Sequence, residues 1–127
     1  MGPAGELVVD GSVNVLGDIK VSGDLQVDGD ILGKSLTVEK INVATPSPEP
    51  DGTSNASIGE ATIAAGQTEI LIETAAATTN SKVFVTATSP TGGQTIYVAE
   101  KNPGENFKVK IDAPAAASIT FDWWVVN

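Results

Sequence analysis

The first third of the chain alternates. From Val9 to Ile31 the odd positions are Val9, Gly11, Val13, Val15, Gly17, Ile19, Val21, Gly23, Leu25, Val27, Gly29 and Ile31, while the even positions are nearly all Asp, Ser, Asn, Lys or Gln. Within the units VDGSVN, VLGDIK, VSGDLQ and VDGDIL only Leu16 and Leu32 break the rule. Strict alternation predicts extended chain with one apolar side. Helix is opposed by the density of glycine and β-branched residues. Gly11, Gly17, Gly23 and Gly29 recur every six residues. A glycine on the inward side leaves room for backbone to approach or for the chain to bend at a corner. The phase slips at Gly33-Lys34-Ser35, continues through Leu36 and Val38, and returns to odd positions at Ile41 and Val43. Residues 1–43 therefore read as a hexad-repeat β shaft with a tapering end.

Such a strip has to hide its apolar side. A self-contained β-solenoid needs about three strands per coil and several stacked coils, and four hexads supply little more than one coil. Three chains, each contributing one wall, solve this without added sequence. Val9, Val13, Val15, Ile19, Val21, Leu25, Val27 and Ile31 would then meet at a shared axis in a homotrimer. Two alternatives stay open: one coil of a longer monomeric solenoid, and a flat hairpin packed on the rest of the chain.

Residues 44–57, ATPSPEPDGTSNAS, contain three prolines among small polar residues and read as an extended linker. Residues 58–127 alternate again in shorter runs. Strands are expected at 61–64, 68–74, 82–88, 95–100, 107–112 and 118–126, divided by turn-forming clusters such as Ala65-Gly66-Gln67 and Asn102-Pro103-Gly104. Short strands at this spacing predict a small antiparallel β-sandwich, so the fold class is all-β. Ile70 and Ile72, Val83 and Val85, Ile96 and Val98, Phe107, Val109 and Ile111, and Ile119, Phe121, Trp123 and Val125 share the inward phase. In the last run Trp124 and Val126 make the other phase apolar too, and a strand apolar on both faces is usually covered on both. Val83, Val85, Phe107, Val109, Ile111, Phe121, Trp123 and Trp124 are thus expected in the sandwich core or at a subunit interface.

Composition narrows the chemistry. The chain has no Cys, no His and no Arg. Disulfides, thiolate nucleophiles, histidine triads, His or Cys metal sites and bidentate arginine clamps are all excluded. The formal net charge of −9, with seven Lys against sixteen acidic residues, disfavours nucleic acid and anionic lipid as partners. The apolar runs are too short for membrane insertion. The start, Met1-Gly2-Pro3, carries no basic leader, so an exported protein would have this chain as a piece of something longer.

Three stretches carry a family resemblance: KVFVTATSP, IYVAEKNPGENFKVKI and the ending ITFDWWVVN. Their order resembles the H-type lectin fold, a trimeric six-stranded sandwich. The same ending after GD-containing hexads is similar to the C-terminal domains of bacterial surface proteins and phage tail-fibre-like proteins. The resemblance implies a homotrimer at a bacterial cell surface or on a phage virion, acting as a structural tip or adhesin. It also implies the alternative of a carbohydrate- or receptor-binding module acting through avidity. The polar residues with which such lectins hold sugar have no matched positions here.

Candidate sites are few. Asp10, Asp18, Asp24, Asp28 and Asp30 invite calcium, but Asp18, Asp24 and Asp30 share a phase and point outward, Lys20 and Lys34 interleave, and no calcium-loop spacing is present; a solvated face is expected and no metal. The glycine spacing lacks the Lys-Ser/Thr ending of a phosphate loop, and no cofactor is expected. Glu69, Glu73, Glu100, Glu105, Asp112 and Asp122 are scattered, with no catalytic pair; Asp122 stands out between Phe121 and Trp123 and is expected to meet a lysine or solvent. Tyr97 and Trp124 are the candidate ligand contacts, because exposed aromatic faces stack on sugars, although tryptophan is as readily an interface residue. No enzyme is expected.

Overall fold

The computed structural model describes residues 5–44 and 54–127. The chain divides into two units, Met1–Val38 and Glu39–Asn127. Most of the expected linker, residues 45–53, lies outside the described residues.

The second unit holds six strands: β1 (Ile58–Ile63), β2 (Glu69–Glu73), β3 (Lys82–Ala87), β4 (Tyr97–Asn102), β5 (Asn106–Lys110) and β6 (Ile119–Val126). They form two three-stranded sheets in the orders β1-β6-β3 and β2-β5-β4. All four pairings are antiparallel. The strands occur where alternation predicts them, with shifted ends. β1 begins at Ile58 rather than at 61, because Ile58 and Gly59 pair with Trp124 and Trp123. β4 is displaced toward Asn102, because it closes a tight turn through Pro103-Gly104 into β5. Gly104 takes a φ of 74°, a backbone shape that side chains disfavour.

The inward phase of each strand builds the core. Phe107, Val109, Ile111, Ile119, Phe121, Trp123 and Val125 are buried, with Val83, Val85, Ile70, Ile96 and Val98 packed beside them. Phe107 meets Trp123 edge to face, centroids 5.4 Å apart, the geometry aromatic quadrupoles favour. The Trp123 indole is seated on Gly59 of the neighbouring strand: a Cβ there would lie 2.7 Å from its Cζ2. Residues 54–57 are bound into this unit. Ala75 N donates to Ser54 O at 2.7 Å, Val125 N donates to Ser57 O at 2.7 Å, and Thr74 Oγ1 donates to Ala56 O. Beside these bonds, buried Ser81 accepts from Thr78 N at 2.7 Å and donates to Asn127, whose Nδ2 donates to Ala76 O.

Residues 5–44 contain neither helix nor strand, and every one of them is exposed. The expected β shaft is therefore not formed by one chain. The reason is physical: extended backbone becomes a strand only when another segment accepts its hydrogen bonds, and this strip has none beside it. The hexad is nevertheless visible in the path of the chain. The backbone bends at Asp10–Gly11, Leu16–Gly17, Ser22–Gly23 and Asp28–Gly29. Exposure follows the same period. Val9, Val15, Val21 and Val27 are 43–49% exposed, while Val13, Ile19, Leu25 and Ile31 are 68–77% exposed.

Gly59→Ala should destabilise the sandwich by about 1–3 kcal/mol, since the added methyl has to displace an indole in a packed core. Urea unfolding followed by tryptophan fluorescence measures this; unchanged stability would mean that Trp123 is not seated on Gly59.

Candidate functional site

The face of the β1-β6-β3 sheet that points away from the core is not a plain solvated surface. Register places Ile58 beside Trp124, and Trp124 beside Phe84, so an apolar row crosses all three strands. The next row across is Glu60, Asp122 and Thr86, and the row beyond is Thr62, Thr120 and Thr88, in which the last two hydroxyls lie 2.9 Å apart. Trp124 is 42% exposed and Phe84 56%. Their rings lie 6.2 Å apart, tilted by 41°. Together with Val43 these residues line an open groove of about 430 Å³.

Local sequence explains the row. β6 reads Ile-Thr-Phe-Asp-Trp-Trp-Val-Val, so the two-residue period sends Trp123 inward and Trp124 outward. Trp124 is thus no core residue. In β3, Val83 and Val85 face the core and Phe84 faces out, which makes it an outward-phase aromatic. Sequence reasoning passed over Phe84, Ile58 and Glu60. The available signal was the aromatic Phe84 standing on the otherwise polar phase of KVFVTA, as Trp124 stands beside Asp122 and Thr120 in β6.

Asp122 does not meet a lysine. It stands between Glu60 and Thr86, and among the described residues neither it nor Glu60 has an ion-pair partner. The groove therefore combines an aromatic floor with two adjacent carboxylates.

Tyr97 lies elsewhere, on the outward face of the β2-β5-β4 sheet, opposite Lys110. Tyr97 and Trp124 therefore cannot act on one ligand within one chain. The Tyr97 face is a charge-balanced surface, with Lys108 Nζ 3.3 Å from Glu69 and 3.5 Å from Glu100. These carboxylates raise the Lys108 pKa above the ordinary lysine range, Glu69 contributing most. Partial desolvation raises the Tyr97 phenol, and the Asp112 carboxylate, which accepts from its hydroxyl at 3.4 Å, adds to the shift.

No group of three or more acidic side chains able to hold a metal is found among the described residues. No helix among them is long and apolar enough to cross a membrane.

Both shifted groups sit higher in the folded chain than in an unfolded one. Each contributes stability that is complete below its ordinary value, about 10, and is lost as pH rises through the folded value. Ultraviolet titration of the single tyrosine should show an ionisation midpoint above 10, and Asp112→Asn should lower it. An unshifted midpoint in both proteins would contradict the Tyr97–Asp112 contact.

Residues 55–126, more than half of the chain and all six strands, match the family described as K1 capsule-specific polysaccharide lyase, C-terminal domain. No curated protein and no solved structure matches the chain. What the match covers is the sandwich with its Trp124 groove, not the hexad strip, and on that match the chain belongs to the family of K1 capsule-specific polysaccharide lyase C-terminal domains.

Proposed function

We propose that this chain is a non-catalytic, trimerising tip of an extracellular fibre or appendage, of the kind carried by a phage virion or a bacterial surface. The observation that carries the reading is the strip itself. Its aliphatic residues lie uncovered along one chain, at a strict six-residue period. The repeat glycines point the same way. Gly17, Gly23 and Gly29 have no positive φ, and a Cβ on any of them would meet nothing within 4 Å. Within one chain neither strain nor crowding calls for glycine at these positions. Neighbouring copies at a common axis would supply the crowding.

Three strips closed on one another bury their aliphatic residues at roughly 25 cal/mol per Å² and remove free edges that would otherwise aggregate. Membership of a family named for the C-terminal domain of a lyase supports a terminal module appended to a larger protein. The absence of His, Cys and Arg from the sequence supports a module without chemistry of its own.

A second reading, carbohydrate or receptor recognition multiplied by three copies, is favoured by the open groove in which Trp124 stands beside Phe84. The H-type lectin likeness belongs to this reading.

The cysteine-free chain makes the strip easy to test. Leu25→Cys, on the inward phase, should be linked between chains by a short bifunctional thiol reagent, whereas Asp24→Cys should stay single on a denaturing gel. Equal linking at both positions, or none at either, would contradict a shared axis.

A further inference from the structure

The outer groove of the β1-β6-β3 sheet has a neighbour of opposite charge. Where the edge strands β3 and β4 come together, a second opening of about 310 Å³ is lined by Val83, Phe84 and Val98 between Lys82 and Lys101. Lys101 Nζ is held at this edge, where it donates to Ser81 O at 2.8 Å. Among the described residues neither Lys82 nor Lys101 has a carboxylate within ion-pair distance. No carboxylate lines this opening, and no lysine lines the Trp124 groove. One chain thus presents two apolar patches side by side, one with two unpaired carboxylates and one with two unpaired ammonium groups.

Phe84 lines both patches. It is the ridge between them, and it is the most exposed of the chain's six aromatic residues.

We propose that the two patches are the complementary halves of one subunit contact: the Glu60–Asp122–Trp124 groove of one copy receives the Lys82–Lys101 edge of the next. The proposal rests on the trimer reading and names the surface through which the tip domain takes part in it. Three features of the chain support a second copy as the occupant. A closed three-fold ring is built from contacts in which two different patches of the same surface meet, and here the two patches carry opposite charge. In such a ring the two contact surfaces of each subunit converge at the axis, where the shared ridge would place three Phe84 rings together. Finally, the alternating apolar positions resume at Ile41 and Val43 after the slip at 33–35, and Val43 lines the groove.

The contact also answers an electrostatic need. Three copies of a chain of net charge −9 repel one another. Seating the lysine edge in the acidic groove brings opposite charges together at each of the three junctions, and like-charge juxtaposition there would select against wrong docking.

Charge reversal tests this. Glu60→Lys with Asp122→Lys should make both patches basic, and Lys82→Glu with Lys101→Glu should make both acidic. Each reversed protein should dissociate at a concentration at least about tenfold higher than the parent, measured by sedimentation, with the folded tip confirmed by near-ultraviolet circular dichroism. The chain carrying all four reversals should recover most of the loss, because the patches are complementary again. A parent protein that never associates would overturn the trimer reading itself. A trimeric parent whose dissociation is unmoved by either reversal would leave that reading standing and overturn this contact. Glycan binding by the intact trimer that is abolished by Trp124→Ala would overturn it too, since the groove would then be open to solvent.

Discussion

Extended backbone cannot satisfy itself. A strand has unpaired amide and carbonyl groups along both edges and, when its sequence alternates, an apolar side that needs a cover. In the sandwich the apolar side is covered inside the chain and the central strands are paired along both edges: β6 lies between β1 and β3, β5 lies between β2 and β4, and the two inward faces meet over Phe107, Phe121 and Trp123. In the hexad strip neither need is met, and residues 5–44 stay exposed and without strands. The contrast arises from patterning as much as composition. Both regions alternate, but only the second contains enough separate runs and turns to fold back on itself.

The central strand β6 shows how one sequence serves two surfaces. Its inward residues close the core, while its outward phase, through Asp122 and Trp124, joins Phe84 and Ile58 in an aromatic and acidic groove. Gly59 is what allows this arrangement, since the indole of Trp123 occupies the space a side chain would need. Trp124 is then left on the outside by the two-residue period. The same period applied to KVFVTA puts Phe84 beside it. An aromatic row on the outside of a small sandwich, flanked by unpaired charge, reads as a contact surface more readily than as solvated exterior.

Much of this was legible in the residues. The alternation in residues 58–127 located all six strands; of the inward phase, Ile72, Phe107, Val109, Ile111, Ile119, Phe121, Trp123 and Val125 are buried, Ile70, Val83, Val85, Ile96 and Val98 are half-buried beside them, and buried Ile63 was missed. Strand ends were less legible. Ile58 joins β1 through pairing with Trp124, a partner sixty-six residues away that no local signal announces. The groove was half legible. Trp124 was identified as a surface candidate, but Glu60 and Phe84 become its neighbours only through register. Tyr97 was grouped with Trp124 because both are aromatic, yet the topology puts them on different sheets. The hexad glycines were recognised by period, and within one chain a Cβ on any of them would meet nothing within 4 Å.

The most direct test of the account is the solution mass of the whole chain by light scattering across a dilution series. Self-association through the strip predicts about 39 kDa, three times the 12.9 kDa of one chain, held well into the micromolar range. A folded, monodisperse species of 12.9 kDa at every concentration would contradict it, because the aliphatic side of the strip would then be stable with no partner at all.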